Sequence, residues 1–135
     1  MIEQEAGHAM NVVSSAVSLT VTDPVASSHF FTTHLGFREV LVHEDFVELS
    51  RDDAAVDLVL VRRDLERCGA GPGPVDVIVS FEVVGVAAEY ERLRNEEAGL
   101  AVTVRREPWG ELVVRLVDPN GVVVQLTEWV PPAGI

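Results

Sequence analysis

Apolar and polar positions alternate along this chain in a way that repeats. VSLTV (17–21) is β-branched and alternates with period two, which predicts a strand over Val13–Thr22. Asp23 suits a helix N-cap and Pro24 a first-turn position, and Gly36 is a stop signal. The helix predicted over 24–35 places Val25, Phe30, Phe31 and Leu35 on one stripe. Three strands follow, Phe37–Val42, Phe46–Ser50 and Val56–Arg62, separated by charged turns at 43–45 and 51–53. The plan then recurs about sixty residues later. A strand is predicted at Val75–Val83, and a helix over Gly85–Ala98 with Val86, Ala87, Tyr90 and Leu93 inward. Strands at Val102–Arg106, Glu111–Val117 and Val122–Trp129 complete the copy. Asp118-Pro119-Asn120-Gly121 makes a strong turn before the last of them.

The expected fold class is therefore α+β: two βαβββ modules whose curled, mostly antiparallel sheets surround a cleft. Residues 1–12 read as a flexible leader, with Met10 an alternative start of the folded part. The modules span 13–65 and 75–130 around a Gly/Pro linker at 66–74, and 131–135 form a tail. All belong to one structural domain. Two such half-domains usually build one shared cavity, and strand parity tells which side chains line it. Val17, Leu19, Val21, Leu58, Leu60, Val77, Val79, Phe81, Val83, Val124 and Leu126 take the helix side. Ala16, Ser18, Thr20, Thr22, Phe46, Glu48, Asp57, Val59, Val61, Asp76, Ile78, Ser80, Glu82, Glu111, Val113, Arg115, Val123, Gln125, Thr127 and Trp129 take the other.

Composition narrows the function. The 135 residues carry 10 Lys+Arg against 22 Asp+Glu, a net charge of −12. Such a chain is a poor partner for nucleic acid, whose phosphates demand cationic side chains. It is compatible with a cationic small ligand. No apolar run reaches the ~20 residues of a membrane span, and no signal peptide is evident. Cys68, the single cysteine, excludes an internal disulfide and a Cys-rich zinc site. A cytoplasmic location is expected. His8 and His43 lie in the leader and a turn. His29 and His34 are five apart on one helix, about 140° around it, and cannot share an ion. No phosphate loop or nucleophile elbow is present.

LTVTDPVASSHFFTTHLGF (19–37) and EPWGELVVRLVDPNGVVVQLTEW (107–129) resemble the two modules of the vicinal oxygen chelate superfamily, which includes glyoxalase I, extradiol dioxygenases and bleomycin-resistance proteins. The resemblance is nearest to the bleomycin-resistance branch and implies a homodimer. It also implies a divalent-metal site in the catalytic members, built from His or Gln, Glu, His and Glu. The matching positions hold Ala16, Asp57, Asp76 and Gln125, so no metal cofactor is expected. The alternative is an oxygen-only site of Asp57, Asp76 and Gln125 that would suit Mg²⁺ or Ca²⁺.

What parity leaves on the cleft side is a mixed site. Phe46, Trp109 and Trp129 offer aromatic plates, Glu48, Asp57, Asp76 and Glu111 acids, and Arg115 a lone base beside Gln125. Trp109 could instead cap a hairpin, and Trp129 pack at a strand end. Three functions are expected in order. The first is sequestration of an antibiotic or of a cationic or aromatic metabolite, without catalysis. The second is a metal-dependent glyoxalase- or dioxygenase-like enzyme. The third is metal-free acid–base chemistry by an Asp57/Asp76 pair.

Overall fold

The computed structural model describes residues 10–64, 77–98 and 103–130. The predicted linker, Cys68, Asp76 and His8 lie outside the described residues. In chain order the elements are β1 (Ala16–Val21), α1 (Pro24–His34), β2 (Arg38–Val42), β3 (Phe46–Ser50) and β4 (Asp57–Arg62). The second set is β5 (Ile78–Glu82), α2 (Val86–Asn95), β6 (Thr103–Arg106), β7 (Glu111–Val117) and β8 (Val123–Trp129). Each set forms a four-stranded mixed sheet, ordered β1-β4-β3-β2 and β5-β8-β7-β6. In both, the opening strand lies parallel to the closing one and the other pairs are antiparallel. The α+β fold of two βαβββ modules is the one the alternation predicts.

Burial follows parity. Leu19, Val21, Leu58, Leu60, Val124 and Leu126 are buried, together with Val47, Leu49, Val114 and Leu116. Both modules contribute to one hydrophobic core, not to two. Rings bridge them, since Phe31 meets Phe37 edge-on and Phe37 contacts Phe81 at 5.6 Å. Val17, expected to face the helix, is 41 % exposed, on an edge strand. Val77 is likewise exposed.

The buried stripe of α1 differs from the apolar one expected. Val25 is 66 % exposed, while Ser27 and Ser28 are buried with Pro24, Phe30 and Phe31. The serines are inward because both find carboxylates. Ser27 Oγ donates to Asp118, and Ser28 Oγ to Glu39. Asp118 is fully buried and also accepts from the amides of Asn120 and Val122, both at 2.8 Å. Asn120 in turn donates from Nδ2 to Asp23 O and Ser27 Oγ, and its Oδ1 accepts from the Asp23 amide at 3.0 Å. The β7–β8 turn thus locks onto the start of α1 in the other module. In α2, Ala87 is exposed, whereas Val86 and Leu93 are buried as expected.

Helix ends show why the two copies are not identical. Asp23 caps α1 through the Ala26 amide at 3.3 Å. The corresponding residue of α2 is Gly85, at φ 78° and without a side chain. Glu128 of β8 supplies the missing cap, accepting from the Gly85 and Val86 amides at 2.9 Å each. At the other end of α1, Gly36 has φ +72°, and a Cβ there would lie 2.8 Å from Arg51 Nη1. That guanidinium bonds Leu35 O at 2.5 Å and would have to shift for a Cβ, while the positive φ itself favours glycine. The ends of α1 and α2 meet where His34 Nδ1 contacts Glu96 at 2.9 Å and Arg92 Nη2 donates to His34 O. His34, on the helix surface, is thereby an inter-module contact.

Two tests follow from these locks. Asp118→Ala strands the buried Ser27 hydroxyl and two partly buried amides and is expected to cost about 2 kcal/mol in denaturant unfolding. Glu128→Gln is expected to lower the melting temperature. The two amides hold the Glu128 carboxyl below its ordinary value of 4.5. Its contribution is complete above that value and disappears as pH falls through the lower native one. Thermal melts from pH 7 to pH 3 should show this loss in the parent and not in Glu128→Gln.

Candidate functional site

The cleft face of each sheet is set by the register. On the first sheet Ala16 pairs with Asp57, Ser18 with Val59, Val59 with Glu48, and Phe46 with Val61. Phe46, Glu48 and Asp57 therefore stand on one face and are half-buried. The Phe46 ring stacks on His43, 5.2 Å between centroids, which gives that turn histidine a packing role.

On the second sheet Ser80, Gln125, Arg115 and Thr103 form one cross-strand row. The next row is Glu82, Thr127, Val113 and Arg105, and beyond it Trp129 stands opposite Glu111. Arg115 Nη2 donates to Gln125 Oε1 at 2.7 Å, and Gln125 Nε2 to Ser80 Oγ at 3.4 Å. Val113 and Thr127 are each only 7 % exposed, although their row faces the cleft. Trp109 sits in the turn 107–110, closed by Gly110 N to Glu107 O and Glu107 N to Glu111 O. Its indole N–H donates to Glu111 at 3.4 Å. Trp109 and Trp129 are 59 % and 56 % exposed, so neither ring is core packing.

Among the described residues, the ligand-contact positions of the two faces do not line the cavity between the modules. That cavity has a volume of about 820 Å³. Its walls include Val17, Leu58, Val79, Phe81, Arg51 and Arg92, and they take in Ile78, Ser80 and Glu82 of the cleft-side set, but none of the residues expected to contact a ligand. The reason is the shared core, which joins the modules through their helix sides and leaves the cleft faces on the outside.

The donor set does not fit a divalent metal. Ala16 has no donor, and Asp76 lies outside the described residues. Ala16 lies seven residues before the α1 N-cap; the residue seven before the α2 N-cap is Ile78, also without a donor. Of the weaker alternative set, Asp57 and Gln125 remain. The Gln125 oxygen already accepts from a guanidinium, which would repel an incoming cation. Among the described residues no group of three His, Cys, Asp or Glu is placed to hold an ion.

Residues 7–126 match the profile of the Glyoxalase/Bleomycin resistance protein/Dioxygenase superfamily. The chain belongs to that superfamily. Solved structures of the same fold include lactoylglutathione lyase from Agrobacterium tumefaciens, at 21 % identity, with 87 % of this chain and 94 % of that one covered and a TM-score of 0.70. TioX from Micromonospora sp. ML1 is 19 % identical over 88 % and 100 % of the two chains, with TM-score 0.70. A glyoxalase/bleomycin resistance protein/dioxygenase family enzyme from Burkholderia phytofirmans PsJN reaches TM-score 0.71 at 17 % identity, covering 86 % and 98 %. No curated protein matches the chain. Among the described residues no helix is long and apolar enough to cross a membrane.

Of the expected site residues, the structure brings Glu111, Arg115, Gln125 and Trp129 onto one face, with Trp109 tied to it through Glu111. Phe46, Glu48 and Asp57 share the face of the other sheet. Reasoning from parity missed the Arg115–Gln125–Ser80 chain. The short turn after Val117 is the signal for it, because it fixes Val117 opposite Val123 and so Arg115 opposite Gln125.

Titration calorimetry with Mg²⁺, Mn²⁺, Ni²⁺ or Zn²⁺ is expected to show no stoichiometric binding, and chelator treatment no change in melting temperature. One metal equivalent bound per chain would overturn this account of the site.

Proposed function

We propose that this protein is a non-catalytic small-molecule-binding protein, similar to the bleomycin-resistance branch of its superfamily. It sequesters an antibiotic or metabolite with aromatic character in the cytoplasm. The observation that carries this reading is the pairing of exposed tryptophans with family metal positions that lack a usable donor set. Flat rings provide contact area, and the acids Glu48 and Asp57 suit cationic substituents. Protection follows mass action: bound drug is withdrawn from its target and no bond is broken.

The reading includes a homodimer. The chain leaves its cleft faces open, one with Glu48 and Asp57 at its centre and the other with Arg115. A two-fold axis that sets the first sheet of one protomer against the second sheet of its partner closes two equivalent clefts. Light scattering is expected to give about twice the 14.7 kDa chain mass. A monomer at micromolar concentration would count against shared clefts.

The deciding experiment is a fluorescence screen against aromatic and cationic antibiotics, followed by recovery of the ligand. Saturable tryptophan quenching with the ligand recovered intact is expected. Trp129→Ala should weaken binding about tenfold, the effect of roughly 1.4 kcal/mol of ring contact. Conversion of the ligand into a product would overturn sequestration.

A further inference from the structure

The most unusual charge on the cleft side is Arg115. Arg105, the other described arginine on this face, is held by Glu107, as Arg38, Arg51 and Arg92 are held by carboxylates elsewhere. Arg62, Arg63 and Arg106 bond backbone carbonyls, and Arg94 lies over the Tyr90 ring. Arg115 has no carboxylate within ion-pair distance among the described residues; its hydrogen bond goes to the neutral oxygen of Gln125. Its charge is therefore oriented but not cancelled. Gln125 can present its oxygen because its amide nitrogen is turned to Ser80, and the reverse orientation would set donor against donor. One of five guanidinium N–H donors is thus used. The other four remain for a ligand, and the planar fork fits a carboxylate in two parallel bonds.

The surroundings define what that carboxylate is attached to. One row along the strands, about 7 Å away, the Val113 and Thr127 floor is nearly closed to solvent. The next row presents Trp129 opposite Glu111. The accessible aromatic surface on this face is the Trp129 indole, 56 % exposed, against which a ligand ring would stack. Glu82 and Glu111 border the floor and disfavour a second negative charge at the far end of the ligand.

We infer that the cleft face of the second sheet contains an oxyanion subsite in which Arg115, oriented by Gln125, takes the carboxylate of a small aromatic monoacid. The subsite rests on the proposed ligand-binding reading and refines it. It is formed within a single chain, so it does not depend on dimerisation.

The test is an NMR titration of the full chain with 4-hydroxybenzoate, its uncharged amide 4-hydroxybenzamide, and the cation tyramine. The acid is expected to bind about tenfold more tightly than the amide, as one charge-assisted bidentate contact would give. Added NaCl should reduce that preference. Arg115→Gln should abolish it, and Arg115→Lys should restore part of it. Trp129→Ala should weaken acid and amide alike and leave their ratio intact. Arg115 is exposed on its strand, so both substitutions leave the core untouched. Equal binding of acid and amide, tighter binding of tyramine, or a preference that survives Arg115→Gln would each overturn the subsite while leaving ligand binding in place. Failure of all three probes to shift any resonance on this face would overturn it too, and with a blank antibiotic screen would overturn the binding reading as well.

Discussion

The constraint on which the structure depends is that two modules bury their helix-facing side chains in one core. Neither four-stranded sheet covers its apolar face with one helix alone. Phe31, Phe37 and Phe81 continue the contact from one module into the other. Apolar packing is non-directional and would tolerate sliding. The buried Asp118 carboxylate does not, because it must keep Ser27 and two turn amides at hydrogen-bond distance. The polar lock therefore sets the relative position of the modules, and the apolar core supplies the driving force. Once the helix sides are committed to each other, the opposite faces of both sheets are left outside. That is why the cavity between the modules takes only Ile78, Ser80 and Glu82 from the cleft side and leaves Arg115, Gln125 and the tryptophans outside it.

Period-two alternation made most of this readable in advance. Leu19, Leu58, Leu60, Val124 and Leu126 fall where parity puts them, because each strand has one face to bury. Parity failed at the edges: Val17 and Val77 have the right direction but nothing above them. The first helix was misread for a different reason. Its inward stripe contains two serines, and a hydrophobic pattern counts a serine as outward. What draws Ser27 in is Asp118, ninety-one residues away, a partner that local pattern cannot supply. The cap on α2 was hidden in the same way, since Gly85 has no side chain and the work falls to Glu128 on the last strand.

The site was legible as a set of positions but not as a network. Spacing from the Asp118–Gly121 turn identifies Gln125, and parity puts Arg115 on the same face. Neither says that the two touch. The contact decides the chemistry, because the same glutamine oxygen serves a metal or a guanidinium but not both. A divalent ion about 4 Å from an uncancelled guanidinium would meet a repulsion of several kcal/mol even in a well-screened site.

Replacing a metal by a guanidinium changes what the face can do, not only what it holds. A metal polarises a bound oxygen and can lower the pKa of bound water toward neutrality. A guanidinium stays charged at every accessible pH and neither takes nor gives a proton. It can orient an anion strongly, and it supplies no acid or base for the step that would follow. Of the described carboxylates on this face, Glu82 stands one row along the strands from Arg115 on the far edge strand, and Glu111, engaged with the Trp109 indole, stands two rows away. Tight orientation without a proton carrier at the same point is the chemistry of a receptor. The sequestration proposed for this protein and the anionic subsite inferred for it both rest on one contact, the 2.7 Å bond from Arg115 to Gln125.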